Sequence, residues 1–303
     1  MIETVDYIWV NGEFIRWEEA RIHLLTHSLH YGLGVFEGIR CYATKDGPAV
    51  FRLTDHMRRL LRSAKIHLLR PRYSVEELVA VTKELIRRNG VDECYIRPIV
   101  WLGYGEMGLN PLNCSVETAV ALWPWGTYLG EEGLKHGVRV RISSFRRLDP
   151  NIIPHAAKAT GQYINSILAK VEALQSGYDE AILLNSLGFV TDGSGENIFH
   201  VRDGVISTPP CSSGALEGIT RDTILTIASD LGYQTREADL VRSDLYVADE
   251  LFFTGTAAEV VPIREVDGRE IGEPGPITRK CQELFFSVVH GEVERYRHWL
   301  EFV

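Results

Sequence analysis

Lysine is used sparingly in this chain, and Lys158 has the most unusual setting of the seven. It lies in Ile152-Ile153-Pro154-His155-Ala156-Ala157-Lys158-Ala159-Thr160-Gly161, among small residues just ahead of an amphipathic run. Small neighbours leave room for a bulky group on an amine, and apolar surroundings in general favour the uncharged, nucleophilic form. A lysine at a helix start more often packs its stem and leaves its head in water, so this feature decides nothing alone.

Three further stretches could hold an anionic ligand. Leu216-Glu217-Gly218-Ile219-Thr220-Arg221-Asp222 opens a helical run, and backbone N–H groups with a Thr hydroxyl at a helix start form a phosphate cradle. Thr220 could equally be a plain cap. Thr254-Gly255-Thr256-Ala257-Ala258-Glu259 is a tight Gly-rich turn able to do the same work. So is Arg59 within His56-Met57-Arg58-Arg59-Leu60-Leu61-Arg62, whose plain reading is a solvated helix face. The stretch Gly188–Phe199 carries Asp192, Glu196 and Asn197 between small residues, which suits a bend presenting polar groups to a ligand, or an ordinary polar turn. Gly103-Tyr104-Gly105-Glu106-Met107-Gly108 fits a dinucleotide fingerprint by spacing, but Leu109-Asn110-Pro111 follows, where the fingerprint needs a helix start. His23, His27 and His30 lack a carboxylate or cysteine partner nearby, so no metal site is expected.

Positioning these groups takes a folded protein of one or two domains, as 303 residues with 45% hydrophobic and 24% charged content imply. A net charge of −9 disfavours nucleic acid as a partner. The longest run without Asp, Glu, Lys or Arg, Ile22 to Phe36, is too short and too polar to span a bilayer. The first residues carry no secretion signal, so a cytoplasmic location is expected. Five scattered cysteines read as reduced thiols. Asn11-Gly12, Asp203-Gly204 and Asp267-Gly268 predict hairpins. Helices are expected at about 54–68, from Ser74 (boxed with Glu77) to Gly90, and at about 160–176, 220–232 and 276–297. Strands are expected at 33–42, 48–53, 94–103, 116–123 and 137–145, with several more up to 207. They arrive in runs with helices between runs, which argues for an α+β fold. The Gly- and Pro-bearing segment after Trp123 predicts a division into a small domain (1–124), a linker (125–135) and a larger domain (136–303).

Together these pieces resemble the class IV pyridoxal-phosphate aminotransferases, and within them the branched-chain amino acid aminotransferases. The likeness runs from about Tyr7 to the C-terminal helix. It includes Trp9-Val10-Asn11-Gly12, His30-Tyr31-Gly32, Val35-Phe36-Glu37-Gly38-Ile39-Arg40, Tyr95-Ile96-Arg97-Pro98, Ala156-Ala157-Lys158, Gly193-Ser194-Gly195-Glu196-Asn197, Gly218-Ile219-Thr220-Arg221 and Thr254-Gly255-Thr256-Ala257-Ala258-Glu259. The resemblance implies a two-domain fold type IV enzyme with mixed and antiparallel sheets. It would move an amino group from valine, leucine or isoleucine to 2-oxoglutarate, giving branched-chain 2-oxo acids and L-glutamate. A D-amino acid or (R)-amine aminotransferase of the same fold is the alternative.

By the same resemblance, Lys158 would bind pyridoxal 5'-phosphate through a Schiff base and then shuttle the substrate proton. Arg59, Gly218, Ile219, Thr220 and Thr256 would hold the phosphate. Leu216 would pack on the ring, Tyr163 would bond its phenolic oxygen, and Asp192 would pair with its nitrogen. The family pattern has Glu at this last position, so Asp192 is a departure. Tyr31, Phe36, Gly38, Trp125 and Tyr128 would line the side-chain pocket. Tyr95, Thr256 and Ala257 would orient the substrate carboxylate, and Arg97 would receive the distal carboxylate of glutamate. A homodimer at minimum is implied, with a hexamer as the larger assembly.

Overall fold

Asn11 and Gly12 adopt φ of 51° and 103°, and they join Tyr7–Val10 to Glu13–Arg16 with Val10 opposite Glu13. Positive φ at both central residues matches the natural twist of a two-residue hairpin, which is why Asn-Gly and Asp-Gly serve there. Asp203-Gly204 and Asp267-Gly268 turn two more hairpins in the same way, with Arg202 opposite Val205 and Val266 opposite Arg269. The computed structural model describes residues 2–126 and 129–303, so the expected pocket residue Tyr128 lies outside the described residues.

The chain forms two units. The first comprises the residues up to Gly126, with Ala157–Gly161 and Val288–Val303; the second comprises the remainder. The expected boundary near residue 125 marks where the chain first leaves the first unit. The expectation of one continuous domain over 136–303 is corrected, because two later segments belong to the first unit. One of them bridges Val35 through Ala159, and the other adds the strand Leu300–Phe302 to its sheet edge. Backbone pairing of this kind links segments far apart in sequence, and no local signal announces it.

In the first unit an antiparallel sheet runs in the order Leu300–Phe302, Gly47–Phe51, Ile39–Thr44, Cys94–Leu102, Val116–Trp123, Tyr7–Val10, Glu13–Arg16, with Gly34–Phe36 also paired to Cys94–Leu102. The helices Leu53–Ile66 and Val75–Asn89 bury Leu53, Met57, Leu60, Leu78 and Leu85 in one core with Trp9, Ile39, Ile96 and Val120 of the sheet. Ser74 accepts from the Glu77 N–H at 3.2 Å, Glu77 Oε2 accepts from the Ser74 N–H at 2.7 Å, and Gly90 ends that helix at φ 61°.

In the second unit the sheet is mixed, in the order Val190–Gly193, Glu180–Leu184, Val138–Ile142, Glu259–Val266, Glu250–Gly255, Asn197–Arg202, Val205–Thr208, Gln234–Glu237. Its parallel pairs include Val138–Ile142 with Glu180–Leu184 and Val205–Thr208 with Gln234–Glu237. Parallel neighbours need a long crossover, and the helices Tyr163–Gln175 and Ile219–Asp230 lie in those two connections. The C-terminal helix is shorter than the expected 276–297. It covers Pro276–Val289 and gives way at Gly291, φ 75°, to a 3-10 turn at Glu294–Trp299. A left-handed glycine cannot continue a right-handed helix. All five cysteines are free, and all but Cys211 are buried. Among the described residues, no helix is long and apolar enough to cross a membrane.

Candidate active site

In the first unit, Lys158 sits on an extended segment that pairs with Gly34–Phe36. Its N–H donates to Ser63 Oγ at 3.0 Å, its carbonyl accepts from the Phe36 N–H at 3.0 Å, and the Thr160 N–H donates to the Gly34 carbonyl at 2.9 Å. Ala157 and Ala159 are buried, and since side chains alternate along extended backbone, Lys158 points the opposite way. Its Nζ lies 5.2 Å from the centre of the Phe36 ring. Space beside it is tight. A methyl group on Gly161 would come 3.1 Å from the Gly32 carbonyl oxygen, and one on Gly34 would come 3.2 Å from that of Val100.

The basic run of the helix Leu53–Ile66 divides sharply. Arg58 is 65% exposed, whereas Arg59 is buried and forks onto Glu37, with Nε 2.7 Å from Oε1 and Nη2 2.8 Å from Oε2. The plain reading of this run as a solvated face is therefore corrected for Arg59. His56 Nδ1 adds a 2.7 Å contact to Glu37 Oε2. Burial alone would raise the Glu37 carboxyl, but the charge and hydrogen bonds of Arg59, aided by His56, hold it well below the usual carboxylate range. Burial lowers the basicity of His56, with the charge and hydrogen bond of Glu37 opposing. Glu37 and His56 went unassigned in the sequence, because nothing local marks a helix residue that reaches a residue between two strands 22 positions away.

Aromatic rings surround Arg97 in the same unit. Its guanidinium carbon lies 4.7 Å from the Phe36 ring centre, 5.4 Å from that of Tyr95 and 5.8 Å from that of Trp123. The Trp125 ring meets Tyr95 edge-on at 4.4 Å. The Arg97 Nε is buried and has no hydrogen-bond partner among the described residues. Gly38 must lack a side chain, since a methyl group there would overlap the Tyr95 hydroxyl. Phe36, Gly38, Tyr95, Arg97 and Trp125 thus fall into one neighbourhood. Tyr31 stands apart, 43% exposed and packed on His27 and His30.

In the second unit, Tyr163, Asp192 and Leu216 line one cavity, together with Arg147, His155 and Glu196. Asp192 is held through a single oxygen. Its Oδ1 accepts from Arg147 Nε at 2.9 Å, Arg147 Nη2 at 2.7 Å and Thr191 Oγ1 at 2.7 Å. Among the described residues, none of these donors reaches Oδ2. Arg147 is braced in turn by the Gly193 carbonyl at 2.7 Å and Ser166 Oγ at 3.0 Å. Burial lifts Asp192 above its ordinary value, with Arg147, Thr191 and His155 opposing. The buried Nδ1 of His155 lacks a partner among the described residues, and burial depresses its basicity. Arg147 and His155 were missed in the sequence. The one available hint was that a buried carboxylate kept for charge requires a cation, and Arg146-Arg147 is the nearest basic pair preceding Lys158.

Gly218 caps the helix Ile219–Asp230, and a methyl group on it would overlap Asn197 Oδ1. Asn197 Nδ2 donates to the Leu216 carbonyl at 3.0 Å, pinning the turn that presents the N–H groups at the start of that helix. Thr220 is buried in its first turn. The turn with Thr256 and Ala257 lies against the bend at 195–196, with 3.6 Å from a Gly255 methyl position to the Gly195 carbonyl oxygen. These donors and this open carboxylate oxygen fit a phosphorylated pyridine.

The family pattern described as "Amino-transferase class IV" matches residues 34–266. The chain belongs to the class IV aminotransferases. It is 48% identical to the branched-chain-amino-acid aminotransferase of Escherichia coli strain K12 over 302 residues, which covers 99% of this chain and 98% of that one. A solved branched-chain aminotransferase from the archaeon Thermoproteus uzoniensis, with norvaline, superposes at a TM-score of 0.95 with 47% identity, covering 98% of this chain and 99% of that one. The branched-chain amino acid aminotransferase of Thermobaculum terrenum, solved in its PLP-form, superposes at 0.93 with 36% identity, over 99% of this chain and 98% of that one. As a class IV aminotransferase the chain has the α+β fold of that family, two units with helices on antiparallel and mixed sheets.

Proposed function

We propose that this aminotransferase moves the amino group of valine, leucine or isoleucine to 2-oxoglutarate, with pyridoxal 5'-phosphate as cofactor. The observation that carries the substrate reading is Arg97, a cation whose buried Nε has no hydrogen-bond partner among the described residues and which sits inside a ring of aromatic faces. Those faces suit a branched aliphatic chain, and the guanidinium suits the second carboxylate of glutamate or 2-oxoglutarate. One pocket can thereby accept both donor and acceptor.

Bound pyridoxal phosphate supplies a ring that draws off the electron pair left when the substrate loses its α-proton. The protein does the rest. Lys158 would bind the cofactor and move the proton. Arg59 and the donors of Gly218, Ile219, Thr220 and Thr256 would hold the phosphate. Leu216 would cover a ring face, Tyr163 would bond the phenolic oxygen, and Asp192 would offer Oδ2 to the ring nitrogen. Tyr95, Thr256 and Ala257 would orient the α-carboxylate, and Phe36, Gly38 and Trp125 would shape the side-chain pocket.

Half-reactions of the pyridoxal form with L-valine, L-leucine, L-isoleucine, L-glutamate, D-alanine and (R)-1-phenylethylamine test this reading. Spectral conversion by the branched L-amino acids and L-glutamate is expected. Conversion by the D-amino acid or the amine alone would replace it with the alternative. Arg97→Ala should slow the glutamate half-reaction by roughly ten- to a hundredfold more than the valine one, the worth of a charged hydrogen bond. Equal losses would make Arg97 structural.

Arg59→Ala should weaken cofactor binding by roughly the same ten- to hundredfold. It should also destabilise the fold by about 3–5 kcal/mol, because Glu37 then stays buried without its cation. Arg59→Lys keeps a charge beside Glu37 but loses the planar fork, so it separates the two effects. A cofactor Kd unchanged in both variants would remove Arg59 from the phosphate site.

The working form is proposed to be a homodimer or a larger assembly of dimers. The supporting observation is exposed apolar surface: Leu24, Leu109 and Leu112 are 73%, 90% and 76% exposed, and Ile164, Ile167, Leu168, Val171 and Leu174 lie along one exposed face of the helix Tyr163–Gln175. Apolar surface in such groups marks contact with another chain. Light scattering that gives a stable monomer at working concentration would reject it.

A further inference from the structure

The second unit buries three carboxyl groups close to the Asp192 cavity, and two of them have cations. Asp192 takes Arg147 at 2.7 Å. Glu180, fully buried, takes Lys170 Nζ at 2.7 Å on Oε2 and the Ala181 N–H at 2.7 Å on Oε1. Glu196, 6% exposed, has the Gly195 N–H at 3.0 Å on Oε2 and, among the described residues, no cation. Its carboxyl packs where a side chain on residue 193 would go: a methyl group on Gly193 would meet Glu196 Oε2 at 2.6 Å and Phe253 Cε1 at 2.9 Å. Glu196 lines the same cavity as Asp192.

We propose that Glu196 is a neutral carboxylic acid in the working enzyme and a positioning residue for transamination, leaving Asp192 as the single anion that meets the cofactor's ring nitrogen. The physical ground is charge balance. A buried carboxylate without a cation costs far more than the neutral acid, so among three carboxyls sharing two cations the unpaired one keeps the proton. Burial, and then the charge of Glu180, push Glu196 up to about 8, with Asp192 adding to them and the Gly195 N–H and Lys170 opposing. Asp192 is the better anion of the two, because Arg147 and Thr191 place three donors on its Oδ1. Behind it stand Arg147 and His155, and no other charged group presses on Glu196 as strongly as Glu180. If Glu196 ionised, a second negative charge would stand beside Asp192 and alter the field at the ring.

The role of Glu196 toward the ring rests on the cofactor reading above, whereas its protonation does not. The test compares the full chain and Glu196→Gln, with and without pyridoxal phosphate. At neutral pH the infrared spectrum of the parent should carry a protonated-carboxyl band that fades as pH rises past about 8 and is absent from the variant. The stability comparison has a fixed sign. Between the ordinary glutamate value of 4.5 and about 8 the folded parent holds a proton that the unfolded chain has released, so rising pH favours unfolding of the parent only. The unfolding equilibrium of the parent relative to the variant should therefore increase by up to about tenfold per pH unit across that window, and level off above it. With cofactor bound, its absorbance should lose one ionisation near pH 8 in the variant. No band lost on substitution, or a constant stability ratio, would overturn the neutral acid. So would a variant unable to fold, since the amide reproduces the shape of the neutral acid. If both protein measurements hold but the cofactor absorbance titrates identically in the two proteins, the positioning role falls. Failure to bind pyridoxal phosphate at all would refute the cofactor reading instead.

Discussion

Replacing Lys158 with alanine should abolish turnover and leave the fold intact. The expected loss is at least about 10²–10⁴-fold from proton transfer alone, before the covalent step is counted. Preservation of the fold follows from how the segment is held. The contacts to Ser63 and Phe36 are made by the backbone of Lys158, and the flanking alanines already fill the buried side. Steady-state rates with L-valine and 2-oxoglutarate give the first half of the result, and thermal unfolding gives the second. The assignment is specific, because borohydride reduction of the holoenzyme should trap the cofactor on Lys158 and on no other lysine. An adduct of equal yield in the alanine variant would move the chemistry elsewhere, as would turnover near the parent rate.

Asp192→Asn should slow the chemical step by roughly 10²–10³-fold, the usual effect of losing one preorganised electrostatic group. The amide can still accept from Arg147 and Thr191, so the side chain should stay in place while its charge is gone. A neutral partner cannot hold the ring nitrogen protonated, and the electron pair from the α-carbon then has a weaker sink. Arg147 is left with less compensation in a buried place, so moderate destabilisation should accompany the kinetic loss. Asp192→Glu should be tolerated. It restores the family residue, and the anchoring of Oδ1 by Arg147 leaves Oδ2 as the oxygen proposed for the ring nitrogen. Single-turnover rates with L-valine decide the point. An Asn variant as fast as the parent would show that another group ionises the cofactor.

The elements that carry these residues were legible wherever local preference is strong. Asn-Gly and Asp-Gly have few other conformations as comfortable as a tight hairpin, and Ser74 with Glu77 satisfies its own helix start. Cys94–Leu102 and Val116–Trp123 fall where β-prone runs predicted strands. The expected helix over 276–297 overran because apolar spacing continues past Gly291, and only the positive φ of that glycine stops it.

The sequence by itself determined the turns, the caps, the family and the singular setting of Lys158, since each depends on residue types within a few positions of one another. Tertiary structure decided the charges. Arg58 and Arg59 are adjacent and identical in type, yet only Arg59 meets Glu37, because the helical repeat turns it inward to a residue between two strands, 22 positions away. Arg147 reaches Asp192 over 45 positions, and among the described residues Glu196 is left without a cation because Lys170 has gone to Glu180. Whether a carboxyl in the interior is an anion or an acid depends on which cation the fold brings within about 3 Å of it, and that is a property of packing that no short stretch of sequence contains.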